Sequence, residues 1–145
     1  MRILIDGDAC PVIDITIEIA KNYGIEVIIF CDMAHFIERE GIEVINVSMG
    51  SDAVDFKILN DIKVNDIVVT QDYGLAAVAL AKKAKPIHQS GFIYTEGNID
   101  QLLFRRHLGR EARRRGGRIK GPKKRSKDQD IAFEKSLKDL IEKSL

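Results

Sequence analysis

The chain has 145 residues, 45% hydrophobic and 6% aromatic, which suits one compact core built mainly from Ile, Val, Leu and Ala. No apolar run approaches the roughly 20 residues needed to span a bilayer, and charge appears within the first eight residues, so neither a membrane span nor a secretory leader is expected. The net charge of +1 conceals an asymmetry: Arg105 to Arg125 hold 11 of the 23 Lys and Arg residues against one acid, Glu111, while the remainder carries 12 basic and 21 acidic residues. An acidic body with a strongly basic segment points to a polyanionic partner.

Continuous β-branched runs recur at residues 3–5 (ILI), 27–30 (VIIF), 44–47 (VINV) and 67–69 (IVV), the pattern of parallel strands buried on both faces. Helical patterns alternate with them. One spans about Pro11 to Asn22, with proline near the first turn, where its missing N–H does no harm. A short helical piece is expected near Ala34 to Glu40, a longer one from about Asp52 to Lys63, and another from about Leu75 to Lys83. A weak strand is expected at Pro86 to His88, and residues 92–95 (FIYT) read as a further strand or an edge. This alternation predicts a doubly wound α/β sheet. In the last third, Asn98 and Gln101 have capping-box spacing and open a helix to about Arg115. The run GGRIKGPKK reads as a flexible loop at about 116–125. Ser126 and Gln129 repeat the capping spacing, and Phe133, Leu137, Leu140 and Ile141 recur at helical intervals, so the last helix is amphipathic and should dock on the body.

The two cysteines, Cys10 and Cys31, lack metal or redox spacing, which favours a reducing, cytoplasmic setting. Cys10 precedes Pro11 near a helix start that could lower its pKa, but no His or Arg follows at phosphatase-loop spacing, and it reads as a small packed residue. His35 and His107 read as surface or helix-face residues. His88 reads as lying near the rim of any crevice at the strand ends.

In a doubly wound sheet, ligands bind beyond the carboxyl ends of the strands, where strand order reverses. Asp6 and Asp8 follow the first strand and Asp72 follows the fourth, so a sheet of order 3-2-1-4-5 would place Asp6 and Asp72 at one crevice. Asp52 and Asp55 stand three apart at the start of the intervening helix, on one face. Ionised carboxylates crowded together raise one another's pKa, and a divalent cation relieves the repulsion. All-oxygen donors without His or Cys favour Mg²⁺ or Mn²⁺ over zinc. Bound there, such an ion could orient and deprotonate a water and stabilise charge on a phosphate. The structural alternative is helix capping, which suits Asp8, Asp52 and Asp72. It suits Asp6 less, because that residue ends a buried apolar strand. Ser48, Ser51 and Thr70 could support a phosphate or a water, or serve as caps and turn residues.

The segments ILIDGDACPV, GSDAVDFKI, DIVVTQDYGLAAVAL, SGFIYTEGNI and GPKKRSKDQDIAF, in that order, resemble the YaiI/YqxD family of uncharacterised bacterial proteins, which is regarded as having a PIN-like domain. The similarity runs through nearly the whole chain. Gly7 replaces the usual Ala in the opening motif, a mild change at a turn. Thr70, Asp72, Leu75 and Ala76 match the family's TxDxxLA segment. Phe56 follows Asp55 where many members have a second acid, and only Gly121 and Pro122 keep the place of the family's TGGP motif. The resemblance implies a single PIN-like domain over residues 1–145, a three-layer α/β/α fold with a mainly parallel sheet of order about 3-2-1-4-5. Residues 98–145 would form its helical, basic extension. It also implies a metal-dependent nuclease, with Asp6, Asp55 and Asp72 as catalytic metal ligands and Asp8 and Asp52 as supplementary ones.

Arg105, Arg106, Arg110, Arg113 and Arg114 fall on the predicted helix, and Arg118, Lys120, Lys123 and Lys124 in the loop, together with Arg125. Ten net positive charges beside an acidic site fit a nucleic-acid backbone, RNA or a single strand, better than a small substrate. Sparse aromatics nearby, with only Phe104 adjacent, argue against sequence-specific reading. Two other functions compete. The DxD after an apolar strand also resembles haloacid-dehalogenase phosphatases, with Asp6 as nucleophile, Asp8 as acid/base and Lys82 or Lys83 as the required lysine. A non-catalytic RNA-binding module is the third reading.

Overall fold

The computed structural model describes residues 1–32, 36–47, 53–116 and 124–145. Five strands, β1 (Arg2–Asp6), β2 (Glu26–Asp32), β3 (Glu43–Val47), β4 (Ile67–Val69) and β5 (Lys85–Ile87), form one sheet of order β3-β2-β1-β4-β5. Every neighbouring pair is parallel. Five helices accompany them: α1 (Ile13–Tyr23), α2 (Ala53–Asp61), α3 (Tyr73–Ala81), α4 (Ile99–Arg114) and α5 (Lys127–Ser144).

Strand alternation divides the core. Ile3, Ile5, Val27, Ile29, Ile67 and Val69 face one side, where they pack with Ile13, Ile17 and Ala20 of α1 and with Phe133, Leu137 and Ile141 of α5. Leu4, Ile28, Phe30 and Val68 face the other, against Val54 and Ile58 of α2 and Leu75 and Ala79 of α3. The spacing of Phe133, Leu137 and Ile141 puts one apolar stripe toward the sheet, and all three are fully buried. The result is three α/β/α layers, the architecture that the resemblance implies. Helix α4 packs outside α3 through Ile99, Leu102 and Leu103.

Some local expectations differ. Residues 36–40 are not helical, and the β2–β3 connection turns at Gly41, whose φ is +73°; residues 33–35 lie outside the described set. Residues 92–95 form no strand: only Ile93 bridges Ile87, antiparallel. Asn98 precedes α4 without a side-chain cap, because its amide accepts from the Thr95 N–H (2.9 Å) and donates to the Ile93 carbonyl (3.0 Å) instead. The Ser126–Gln129 pair does close the start of α5, the Gln129 side chain accepting from the Ser126 N–H at 3.1 Å. Most of the expected loop, residues 117–123, lies outside the described set. No helix among the described residues is long and apolar enough to cross a membrane.

Candidate active site

The central strands β1 and β4 pair with Ile5 opposite Val69, so the residues just beyond, Asp6 and Thr70, emerge side by side at the carboxyl edge of the sheet. The Thr70 hydroxyl donates to Asp6 Oδ2 (3.0 Å) and accepts from the Asp72 N–H (3.0 Å). Because the amide can only donate, it leaves the hydroxyl proton for Asp6. Asp72 in turn caps α3, its Oδ1 accepting from the Leu75 N–H at 3.1 Å. The capping and cleft readings of Asp72 are therefore compatible.

Asp8 does not cap α1, whose cap position is Val12. The β1–α1 loop passes through Ala9 in the left-handed region (φ 56°), and Asp8 Oδ1 accepts from the Asp32 N–H at 3.3 Å. Gly7 is more constrained than a simple turn position. Its N–H bonds the Phe30 carbonyl at 2.7 Å, and a Cβ there would come within 2.9 Å of that oxygen and of Ile29. Replacing Ala with Gly here lets β1 run close against β2.

Asp6, Asp8, Asp55 and Asp72 line one cleft of about 430 Å³, with Gln71, Tyr73 and Arg106. Asp55 enters from the first turn of α2. Arg106 enters from α4, one turn past Leu102 and Leu103, and its Nη1 lies 3.6 Å from Asp72 Oδ1. Among the described residues, four carboxylates and one guanidinium line this cleft. Burial raises the Asp6 carboxyl to about 6, against the lowering effect of the Thr70 hydrogen bond and helped by the charges of Asp8 and Asp72. Asp52 and Ser51, expected at the same edge, lie outside the described residues, as do Ser48 and His35.

The donor set is hard oxygen, as Mg²⁺ or Mn²⁺ requires. In the arrangement seen, however, no group of three or more His, Cys, Asp or Glu side chains among the described residues is placed to hold a metal ion. The carboxylates share a cleft without forming a closed coordination cage.

The remaining expected residues divide. Arg105, Arg110, Arg113, Arg114 and Lys124 are exposed, whereas Arg106 is half-buried. Arg118, Lys120 and Lys123 lie outside the described residues. Arg125 acts as a brace: it pairs with Asp130 (2.7 Å) and donates to the Gln89 carbonyl (2.8 Å). Cys10 is half-buried and its thiol is pushed up to about 11, chiefly by burial, so no helix start activates it. Lys82 follows the last turn of α3 and donates to the Leu59 carbonyl of α2. Because α3 runs back from the cleft, Lys82 and Lys83 sit at the opposite edge of the sheet from Asp6, and the dehalogenase-type constellation is not assembled.

Three contacts had no sequence signal strong enough to find them. The Tyr94 hydroxyl donates to the Thr70 carbonyl (3.1 Å), fixing the turn that carries Asp72. Arg106 pairs with an acid 34 positions away, although its register with Leu102 and Leu103 marks it as inward-facing. Phe56, in place of a second acid, is 62% exposed and lines an adjoining lobe with Asp55, Asp72 and Arg106.

The family model described as "Uncharacterized BCR, YaiI/YqxD family" matches residues 4–143. The UPF0178 protein of Exiguobacterium sibiricum is 52% identical over 141 residues, covering 97% of this chain and 96% of its own. That of Ruminiclostridium cellulolyticum is 53% identical over 137 residues, covering 94% and 90%. Among solved structures, the chain is similar to a mutant of Rae1 (YacP) from Bacillus subtilis, with 19% identity, a TM-score of 0.44 and 99% of each chain covered. A match across almost the full length, joined by relatives at about half identity, settles membership: the chain belongs to the uncharacterised YaiI/YqxD family.

Proposed function

We propose that the protein is a Mg²⁺- or Mn²⁺-dependent phosphodiesterase acting on RNA or another single-stranded nucleic acid. The observation that carries this reading is the meeting of Asp6, Asp8, Asp55 and Asp72, from β1, its following loop, α2 and the β4–α3 turn, in a single cleft beside Arg106. Asp6, Asp55 and Asp72 would hold the ion, with Asp8 supplementing them and Asp52, outside the described residues, as the further expected ligand. A bound divalent cation supplies charge neutralisation at a phosphate and a more acidic water.

The chain's own groups do the rest. The half-buried Arg106 offers a guanidinium to a non-bridging phosphate oxygen. Thr70 holds Asp6 in place through its hydroxyl. The exposed arginines of α4 meet flanking phosphates, which fixes the strand without reading its bases. In the metal-free protein four carboxylates oppose a polyanion, so a strand would enter the cleft only with the cation. The acidic lining supports the metal-dependent reading.

The test is cleavage of single-stranded RNA with Mn²⁺ by the wild-type chain and by Asp6→Asn and Asp72→Asn. Loss of at least about a hundredfold in rate is expected for each variant, with salt-sensitive binding retained. Binding without cleavage by the wild type under Mg²⁺ or Mn²⁺, lost on neutralising Arg113 to Arg115, would instead identify a non-catalytic RNA-binding module.

A further inference from the structure

Beside the acid cleft, and sharing Tyr73 with it, lies a second cavity of about 270 Å³ lined by Tyr73, His88, Ser90, Phe92, Tyr94 and Arg105. Ser90, Phe92 and Tyr94 come from the segment SGFIYTEGNI, which the metal site does not use. Tyr94 is 2% exposed and forms the centre of the aromatic group. Tyr73, His88 and Phe92 stand edge-on to it, with ring centroids 6.0, 6.2 and 5.7 Å away and interplanar angles of 65°, 72° and 82°. Phe92 remains 43% exposed, so part of its ring is available to a guest.

The polar groups are equally specific. His88 Nδ1 accepts from the Ser90 N–H at 3.0 Å, which leaves the proton of the neutral ring on Nε2. Burial, then the charge of Arg125, lowers its pKa, which favours the neutral ring. Ser90 Oγ lies 2.8 Å from the same Nδ1 and donates its proton there, so the cavity offers aromatic faces and the Nε2–H of His88, with a guanidinium among its lining groups. Arg105 disfavours a cationic guest, and a purely apolar one would give the His88 Nε2–H no acceptor. A planar, partly polar group attached to an anion satisfies all of them.

The two cavities are also joined mechanically. The Tyr94 hydroxyl donates to the carbonyl of Thr70, the residue whose hydroxyl holds Asp6. Adjacent arginines serve the two sides, Arg106 in the acid cleft and Arg105 in the aromatic one. We propose, building on the nuclease reading above, that the aromatic cavity receives the base of a nucleotide next to the phosphate held in the acid cleft, with Arg105 meeting that nucleotide's own phosphate. The cavity sets where along a strand the acid cleft engages and favours an unpaired base, since a paired one cannot enter.

The experiment uses the full chain, wild type and Asp6→Asn, in metal-free buffer, with adenosine 5′-monophosphate, uridine 5′-monophosphate and ribose 5-phosphate as probes. The chain has no Trp and three Tyr, so a change in tyrosine emission reports on Tyr73 and Tyr94 over the background of Tyr23, with NMR shift changes as a second readout. At least one nucleotide should bind both proteins about tenfold or more tightly than ribose 5-phosphate does. Phe92→Leu and Arg105→Gln should each weaken it about tenfold, with NMR shifts away from the cavity unchanged to show that both chains remain folded. Equal binding of ribose 5-phosphate, indifference to Phe92→Leu, or no nucleotide binding would overturn the proposal. Mn²⁺-dependent cleavage by the wild type would survive that outcome. Nucleotide binding without any cleavage would leave the cavity assigned and remove the nuclease.

Discussion

Asp6 and Asp66 stand at opposite edges of the same sheet and take opposite electrostatic roles. Asp66 is 2% exposed and held by Arg2, with Nη2 2.6 Å from Oδ2, and by the Lys63 N–H at 2.8 Å. It braces the amino edge, and Asp66→Asn should cost about 3 kcal/mol, read as a lower urea midpoint at unchanged slope. Asp6 is the reverse case. Its carboxyl is raised from an ordinary 3.8 to about 6, so between those values the folded state keeps a proton that the unfolded chain has released. The contribution of Asp6 to stability is therefore fullest below about pH 4 and is lost as pH rises through 6, by about 2–3 kcal/mol in all. Asp6→Asn keeps the shape and removes the charge. It should stabilise the metal-free protein by about 2 kcal/mol at pH 7.5 and give no gain at pH 4, measured by urea unfolding at the two pH values. A residue that lowers stability where it stands is one retained for another purpose, and an ionised carboxylate beside Asp72 suits the capture of a cation.

At the scale of elements, α4 changes character along a single face. Ile99, Leu102 and Leu103 dock it on α3, and Arg106 at the next turn enters the acid cleft. Arg110 and Arg113 continue the same register beyond it, exposed. The helix is thus anchored by its first half and presents charge with its second. Arginines in the last turn also complement the helix dipole, but that benefit is small at an exposed end. Replacing Arg110 and Arg113 together with Gln should leave the urea midpoint within about 0.5 kcal/mol of the wild type. It should weaken single-stranded RNA binding and make the slope of log affinity against log salt shallower by about 1.4, at about 0.7 per phosphate contact. An unchanged slope would place the strand elsewhere on the molecule.

Across the whole molecule, the buried strands were legible because a parallel sheet covered on both faces must read as unbroken Ile and Val runs. That pattern, with the alternating helices, gave the doubly wound class, and the family resemblance supplied the order β3-β2-β1-β4-β5 that brings Asp6 and Asp72 together. The convergence of Asp55 followed from its place in the first turn of α2. What could not be read were contacts that depend on two distant segments meeting. Arg106 was legible as a basic residue but not as the partner of Asp72. Tyr94 was legible as an apolar edge residue but not as the donor that holds Thr70. Asn98 carried a capping signal that lost to two backbone partners in the preceding turn. The two cavities and the basic helix meet at one end of the sheet, so a strand crossing it would touch all three. That account rests on a divalent ion settling among the carboxylates, which must close in from the spacing seen here. The direct measurement is a crystal soaked in Mn²⁺, with anomalous scattering collected at the manganese edge. A peak is expected between Asp6 and Asp72, absent in Asp6→Asn. A crystal with no manganese between those two residues at saturating concentration would contradict it.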